Sequence, residues 1–134
     1  MKPHTEQPMD GITKEGFESL VLERYGIIPD RPFANDQSTL IFRHPDNEKW
    51  FAAVIHVHAS RLALDTDSYV YVVNLKCKQD MICHLWQENG IYPAYHMSKA
   101  HWISVLLDGS VDKDTVGYLL KISFELTKTK KNKK

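Results

Sequence analysis

The chain has 134 residues, with 17 Lys plus Arg against 17 Asp plus Glu and a formal net charge of zero. That length suits one compact domain, and 43% hydrophobic with 25% charged residues is the balance of an ordinary globular chain. These figures exclude a low-complexity polymer and a uniformly basic nucleic-acid binder, and no apolar run approaches the roughly 20 residues of a membrane helix.

Met1 to Glu6 leads into no apolar stretch, so no secretory signal is expected and the expected location is the cytoplasm. The charge is unevenly spread. Lys128 to Lys134 holds five Lys and no acid, behind a body with 12 basic and 17 acidic residues. A −5 body therefore carries a +5 tail. Such a run of like charge reads as a solvated end or an electrostatic tether.

Residues 1–12 are polar and read as a flexible leader. Thr13 can cap a helix to about Tyr25, with Phe17, Leu20 and Val21 at helical spacing and Gly26 as its stop. Pro29 and Pro32 mark a connector. Thr39 to His44 and Lys49 to His58 read as two strands of a hairpin around Pro45–Glu48. In the second strand Phe51, Ala53, Ile55 and Val57 share the expected core face, with Trp50, Ala52, Val54, His56 and His58 on the other.

Ala59 to Ser68 reads as a long loop and Tyr69 to Lys76 as a third strand. Lys78 to Asn89 returns to helical period, with Met81, Ile82, Leu85 and Trp86 as its stripe. Tyr92 to Met97 is either an edge strand or an extended loop. Trp102 to Leu107 reads as a strand and Asp108-Gly109-Ser110 as a turn. Asp112 or Ser110 then caps a last helix to about Lys128, with Val116, Leu119, Leu120 and Phe124 inward. The order α-β(3)-α-β(2)-α predicts an α+β domain over residues 13–127, a two-layer structure with an antiparallel sheet and helices on one face. The second face of such a sheet is available to solvent or ligand.

Several ordered motifs carry a family resemblance: Asn74-Leu75-Lys76-Cys77, Pro93-Ala94-Tyr95-His96-Met97-Ser98-Lys99, His101-Trp102 and Leu106-Leu107-Asp108-Gly109-Ser110. Pro32-Phe33, Asp36, Thr39-Leu40-Ile41-Phe42-Arg43 and Lys49-Trp50-Phe51-Ala52 add to it. Over roughly residues 13–127 the chain resembles the MmcQ/YjbR family. The resemblance implies a YjbR-like, CyaY-like or secretion-chaperone-like fold, and a DNA-binding role described as a double wing. The 59–68 loop, which would be a wing, carries Asp65 and Asp67 against Arg61, and acids there repel phosphate.

No Gly-x-Ser-x-Gly, phosphate-binding loop or Gly-x-Gly-x-x-Gly is present, so a non-catalytic module without cofactor is expected. His56 and His58 point the same way but lack further ligands at metal-site spacing, so no metal is expected. Cys77 and Cys83 match no zinc spacing and read as reduced, buried structural thiols.

The candidate nucleic-acid-binding residues are Lys76, Tyr95, His96, Lys99, His101 and Trp102. Cations neutralise phosphate, and Tyr, His and Trp can stack on or hydrogen-bond to bases. In the competing structural reading Tyr95 and Trp102 are core residues and His96 bonds a turn carbonyl. A patch this small implies weak binding, about 10⁻⁴–10⁻⁶ M. The alternative to DNA is a protein-interaction or small-ligand module that uses the open sheet face through Trp50, His56 and Trp102. A monomer is expected in either case, with no membrane partner.

Overall fold

The computed structural model describes residues 11–129. Most of the expected leader and all but the start of the lysine tail lie outside the described residues.

The first helix, α1 (Lys14–Tyr25), follows a short strand, β1 (Gly11–Thr13). Thr13 caps it by accepting from the Gly16 N–H at 3.3 Å, and Gly26 ends it at φ 68°, donating to the Leu22 carbonyl at 2.8 Å. Next come β2 (Leu40–Arg43), β3 (Trp50–His58), a 3₁₀ turn (Ala59–Leu62), β4 (Tyr69–Lys76), α2 (Gln79–Leu85), β5 (Ile91–Pro93) and β6 (Trp102–Leu106). The chain closes with β7 (Asp108–Asp112) and α3 (Lys113–Thr127), which Asp112 caps by accepting from the Thr115 N–H at 3.1 Å. Five strands form an antiparallel sheet in the order β2-β3-β4-β6-β5. The three helices contribute to one core on one face of it. The two-layer α+β architecture is therefore as expected.

Asp108-Gly109-Ser110, expected as a turn, instead begins β7, which pairs antiparallel with β1. The two backbones approach so closely that a Cβ on Gly11 would overlap the Gly109 carbonyl, and Gly109 itself sits at φ 92°. The second predicted helix is shorter than its apolar stripe. After Leu85 the bonds tighten to i→i+3, with Gln87 N donating to His84 O and Glu88 N to Leu85 O. Trp86 is thereby turned outward and is 38% exposed.

Alternation predicts the wrong core face for β3, because of one extra residue. Phe42 pairs with Ala52 but Arg43 pairs with Trp50, so Phe51 is the inserted residue of a bulge. Phe51 joins Ala52 and Val54 in the helix-covered core, while Val57 and Ile55 pack in a separate cluster on the other face. A phase slip of one residue exchanges every later side chain between faces. Ser123 holds the bulge by donating to the Phe51 carbonyl at 2.5 Å and accepting from the Lys76 N–H at 2.8 Å. The expected placement of His56 on the non-core face is corrected for the same reason. It lies beyond the rim of the helix side, stacked on Tyr71 at 4.3 Å.

Phe51 centres an aromatic group with Tyr25, Phe42, His44 and Phe124. His44 is almost fully buried there, and burial lowers its pKa. Its Nε2 bonds Thr127 Oγ1 at 2.8 Å. Because the Thr127 hydroxyl donates to the Ser123 carbonyl at 2.7 Å, the histidine must be the donor in that pair. Cys77 is buried, but Cys83 is exposed on the outer side of α2, which corrects the expectation of two buried thiols. Among the described residues, no helix is long and apolar enough to cross a membrane.

Candidate binding site on the strap-crossed sheet face

The sheet face opposite the helices is only partly open. Residues 94–101, between β5 and β6, cross it as a strap. The anchor is a pair of buried polar side chains, Asn74 on β4 and Ser104 on β6, which lie directly opposite each other in the ladder. Asn74 Nδ2 donates to the Tyr95 carbonyl at 2.8 Å, and the Tyr95 N–H donates to Ser104 Oγ at 3.0 Å. Ser104 Oγ donates in turn to Asn74 Oδ1 at 2.5 Å. Both peptide groups of Tyr95 are thus satisfied by side chains, as they would be by a neighbouring strand. The next residue, His96, is held at φ 63°, a left-handed conformation uncommon for a side-chain-bearing residue. The strap returns through the Cys77 N–H, which donates to the His101 carbonyl at 2.8 Å.

The strap divides the face into two clefts. The first encloses about 360 Å³ between the 3₁₀ turn and the strap, lined by Arg61, Leu62, Tyr92, Tyr95 and Lys99 among others. No carboxylate lines it. Burial, with Asp108 adding to it, raises the pKa of the Tyr92 hydroxyl, so this tyrosine remains a neutral donor. The loop acids do not line this cleft: Asp67 bonds His58 Nε2 at 3.0 Å, and Asp65 lines an adjoining hollow with Asp108 on the other side of Tyr92. The second cleft encloses about 340 Å³ over β2 and β3, between the strap and the 33–39 connector. Its walls include Phe33, Ile41, Trp50, Ile55 and Met97, with Asp36 and His96 as its polar ends.

The six predicted site residues do not converge. Tyr95 and Lys99 line the first cleft, and His96 lines the second. The Tyr95 and His96 rings meet at 3.9 Å, between the two. Lys76 and Trp102 face each other across β4 and β6 and line neither cleft, and His101 is exposed on the strap's return. Tyr95 also packs against the apolar cluster of Val57, Leu62, Val72 and Leu106, so it serves the fold and the cleft together. Sequence pattern does not single out Arg61 and Tyr92 of the first cleft, or Phe33, Asp36 and Met97 of the second, as site residues. Asn74 and Ser104 do carry a signal: a polar residue in the middle of an apolar strand needs a specific partner.

Among the described residues, no group of three or more His, Cys, Asp or Glu is placed to hold a metal ion. Asp36 accepts from Ser38 N at 3.1 Å, Ser38 Oγ at 2.6 Å and Thr39 Oγ1 at 2.6 Å. These bonds hold its carboxyl below the ordinary carboxylate range.

The chain is 34% identical over 117 residues to the uncharacterized protein YyaQ of Bacillus subtilis strain 168, spanning 87% of this chain and 99% of YyaQ. A crystal structure of a Pseudomonas syringae protein is similar at TM-score 0.85 and 35% identity, covering 87% of this chain and all of that one. The Deinococcus radiodurans protein DR2400 is similar at TM-score 0.63 and 26% identity, over 90% of this chain and 81% of that one. The YjbR family model matches residues 22–126, which spans most of both clefts' framework, and the chain belongs to the YjbR family.

Proposed function

We propose that this domain is a non-catalytic binding module that takes DNA, as an unpaired strand, in the first cleft. The observation that carries the reading is the pairing of Arg61 and Lys99 with Tyr92 and Tyr95 around one hollow without a carboxylate. Arg and Lys neutralise phosphate, and tyrosines give an unstacked base a surface to lie on. A cleft of about 360 Å³ is the size for one planar base and its phosphate, not for a duplex groove. Lys76 and His101 lie outside this cleft, and the lysine tail adds an electrostatic tether.

The test is a salt titration of a labelled single-stranded oligonucleotide, followed by fluorescence anisotropy, beside a duplex of the same sequence. Weak binding near 10⁻⁴–10⁻⁶ M is expected, with two phosphate contacts giving a log–log salt slope of about −1.4. The single strand is expected to bind better than the duplex. Arg61→Ala with Lys99→Ala weakens this binding about tenfold or more, whereas shortening the chain at Thr129 weakens it less. Absence of low-salt binding by the intact chain, or binding lost only with the tail, contradicts the proposal.

A further inference from the structure

We propose that the second cleft is a separate site for a small organic cation, an ammonium group carried on an apolar or aromatic body. This inference does not rest on DNA binding by the first cleft.

The walls are Phe33, Trp50, Ile55 and Met97, so most of a ligand's contact area there is apolar. At about 340 Å³ the cleft lies at the small end of ligand sites, room for one ring and a short chain. Asp36 is the single carboxylate lining it, and neither Lys nor Arg does so. Asp36 accepts from the Ser38 N–H and from the Ser38 and Thr39 hydroxyls, and the Thr39 backbone N–H adds to them. Asp36 is exposed where it lines the cleft, so its charge is open to an incoming ammonium group. These bonds fix the carboxylate in place, so little ordering is needed on binding.

Trp50 adds an aromatic ring to this wall. Its ring already holds the Arg43 guanidinium, whose Cζ lies 5.8 Å from the ring centroid. Arg43 does not neutralise Asp36, because its Nε donates to Asp30 at 2.6 Å. Among the described residues no ion pair to Asp36 is formed, and its exposed carboxylate lines the same cleft as the Trp50 ring. An anion there would meet a carboxylate, and a neutral apolar molecule would gain nothing from its charge.

The experiment uses the full chain, ¹⁵N-labelled, at pH 8 with three probes of similar size: 2-phenylethylamine, 2-phenylethanol and phenylacetate. The Trp50 indole resonance and the backbone resonances of Asp36 and Met97 report binding. The amine is expected to bind about fivefold or more tighter than the alcohol, with the carboxylate weakest. Asp36→Asn is expected to remove the difference between amine and alcohol. Arg61→Ala with Lys99→Ala is expected to leave it unchanged, which separates this site from the first cleft.

Equal binding of amine and alcohol by the unaltered chain overturns the proposal, as does tightest binding of phenylacetate. Shifts confined to residues outside the cleft overturn it too. Slower tumbling on addition of the amine would instead identify this face as a contact between copies of the chain. If Asp36→Asn fails to fold, the charge series on the unaltered chain decides the matter alone.

Discussion

The two clefts share a strap and nearly the same volume, about 360 and 340 Å³, yet differ in charge. One is flanked by Arg61 and Lys99, the other by Asp36. Adjacent strap residues supply one ring to each side, Tyr95 and His96, and those rings touch. One buried polar clasp thus builds both hollows, and the side chains on their outer walls give each its sign. A formal charge of zero for the whole chain conceals this local separation.

The largest expected effect comes from removing what the clefts have in common. Asn74→Leu deletes the donor to the Tyr95 carbonyl and the acceptor for Ser104. A buried polar group left without its partner costs about 1–3 kcal/mol, so urea unfolding is expected to show a loss at the upper end of that range. Both clefts should fail together, and a variant that kept either ligand would separate clefts that the strap is said to join.

The next effect is one-sided. Arg61→Ala with Lys99→Ala is expected to weaken single-stranded DNA binding about tenfold or more, with unfolding free energy within about 0.5 kcal/mol of the parent. Amine binding in the second cleft should be unchanged, so a parallel loss would show that the clefts are not independent.

His96→Gly sharpens the comparison from the other side. It relieves a left-handed conformation that disfavours side chains but adds backbone freedom to the unfolded chain, so stability should stay within about 1 kcal/mol. Deletion of the ring opens the second cleft and frees one side of Tyr95. Amine affinity should fall more than DNA affinity, measured on the same preparation.

The smallest effect serves as a reference outside both clefts. Burial lowers the pKa of His44, so the unfolded chain takes up the proton first as pH falls. Its contribution is full above the unfolded value of about 6.5 and is lost as pH drops through the folded value. Chemical denaturation between pH 7.5 and 5 should show stability falling for the parent and a flatter profile for His44→Gln. Asp36, whose pKa is lowered by its hydrogen bonds, acts below that window, near and under the ordinary carboxylate value.

Much of the fold was legible because its signals are local. Thr13 and Gly26 bracket α1, Asp112 caps α3, and the apolar run from Tyr69 to Lys76 is β4 over its whole length. Where expectation failed, the deciding contact was distant in sequence. Phe51 is turned to the helix side by a bulge that Ser123 secures from 72 residues away. The Asp108–Ser110 segment becomes a strand because Gly11 lies against Gly109. The site was less legible for the same reason. Tyr95 and Lys99 were recognised, but their companion Arg61 comes from a loop that reads as acidic. Asp36 joins Trp50 and Met97 only once the strap crosses the sheet.

The central claim is that one strap separates two hollows of opposite preference. It is tested most directly by ¹⁵N-resolved titration of the same sample with a mononucleotide and, separately, with 2-phenylethylamine. Nucleotide shifts are expected at Arg61, Tyr92 and Lys99, and amine shifts at Asp36, Trp50 and Met97, with little overlap beyond Tyr95 and His96. Shifts from both probes on one common set of residues, or no saturable shift from either, would contradict it.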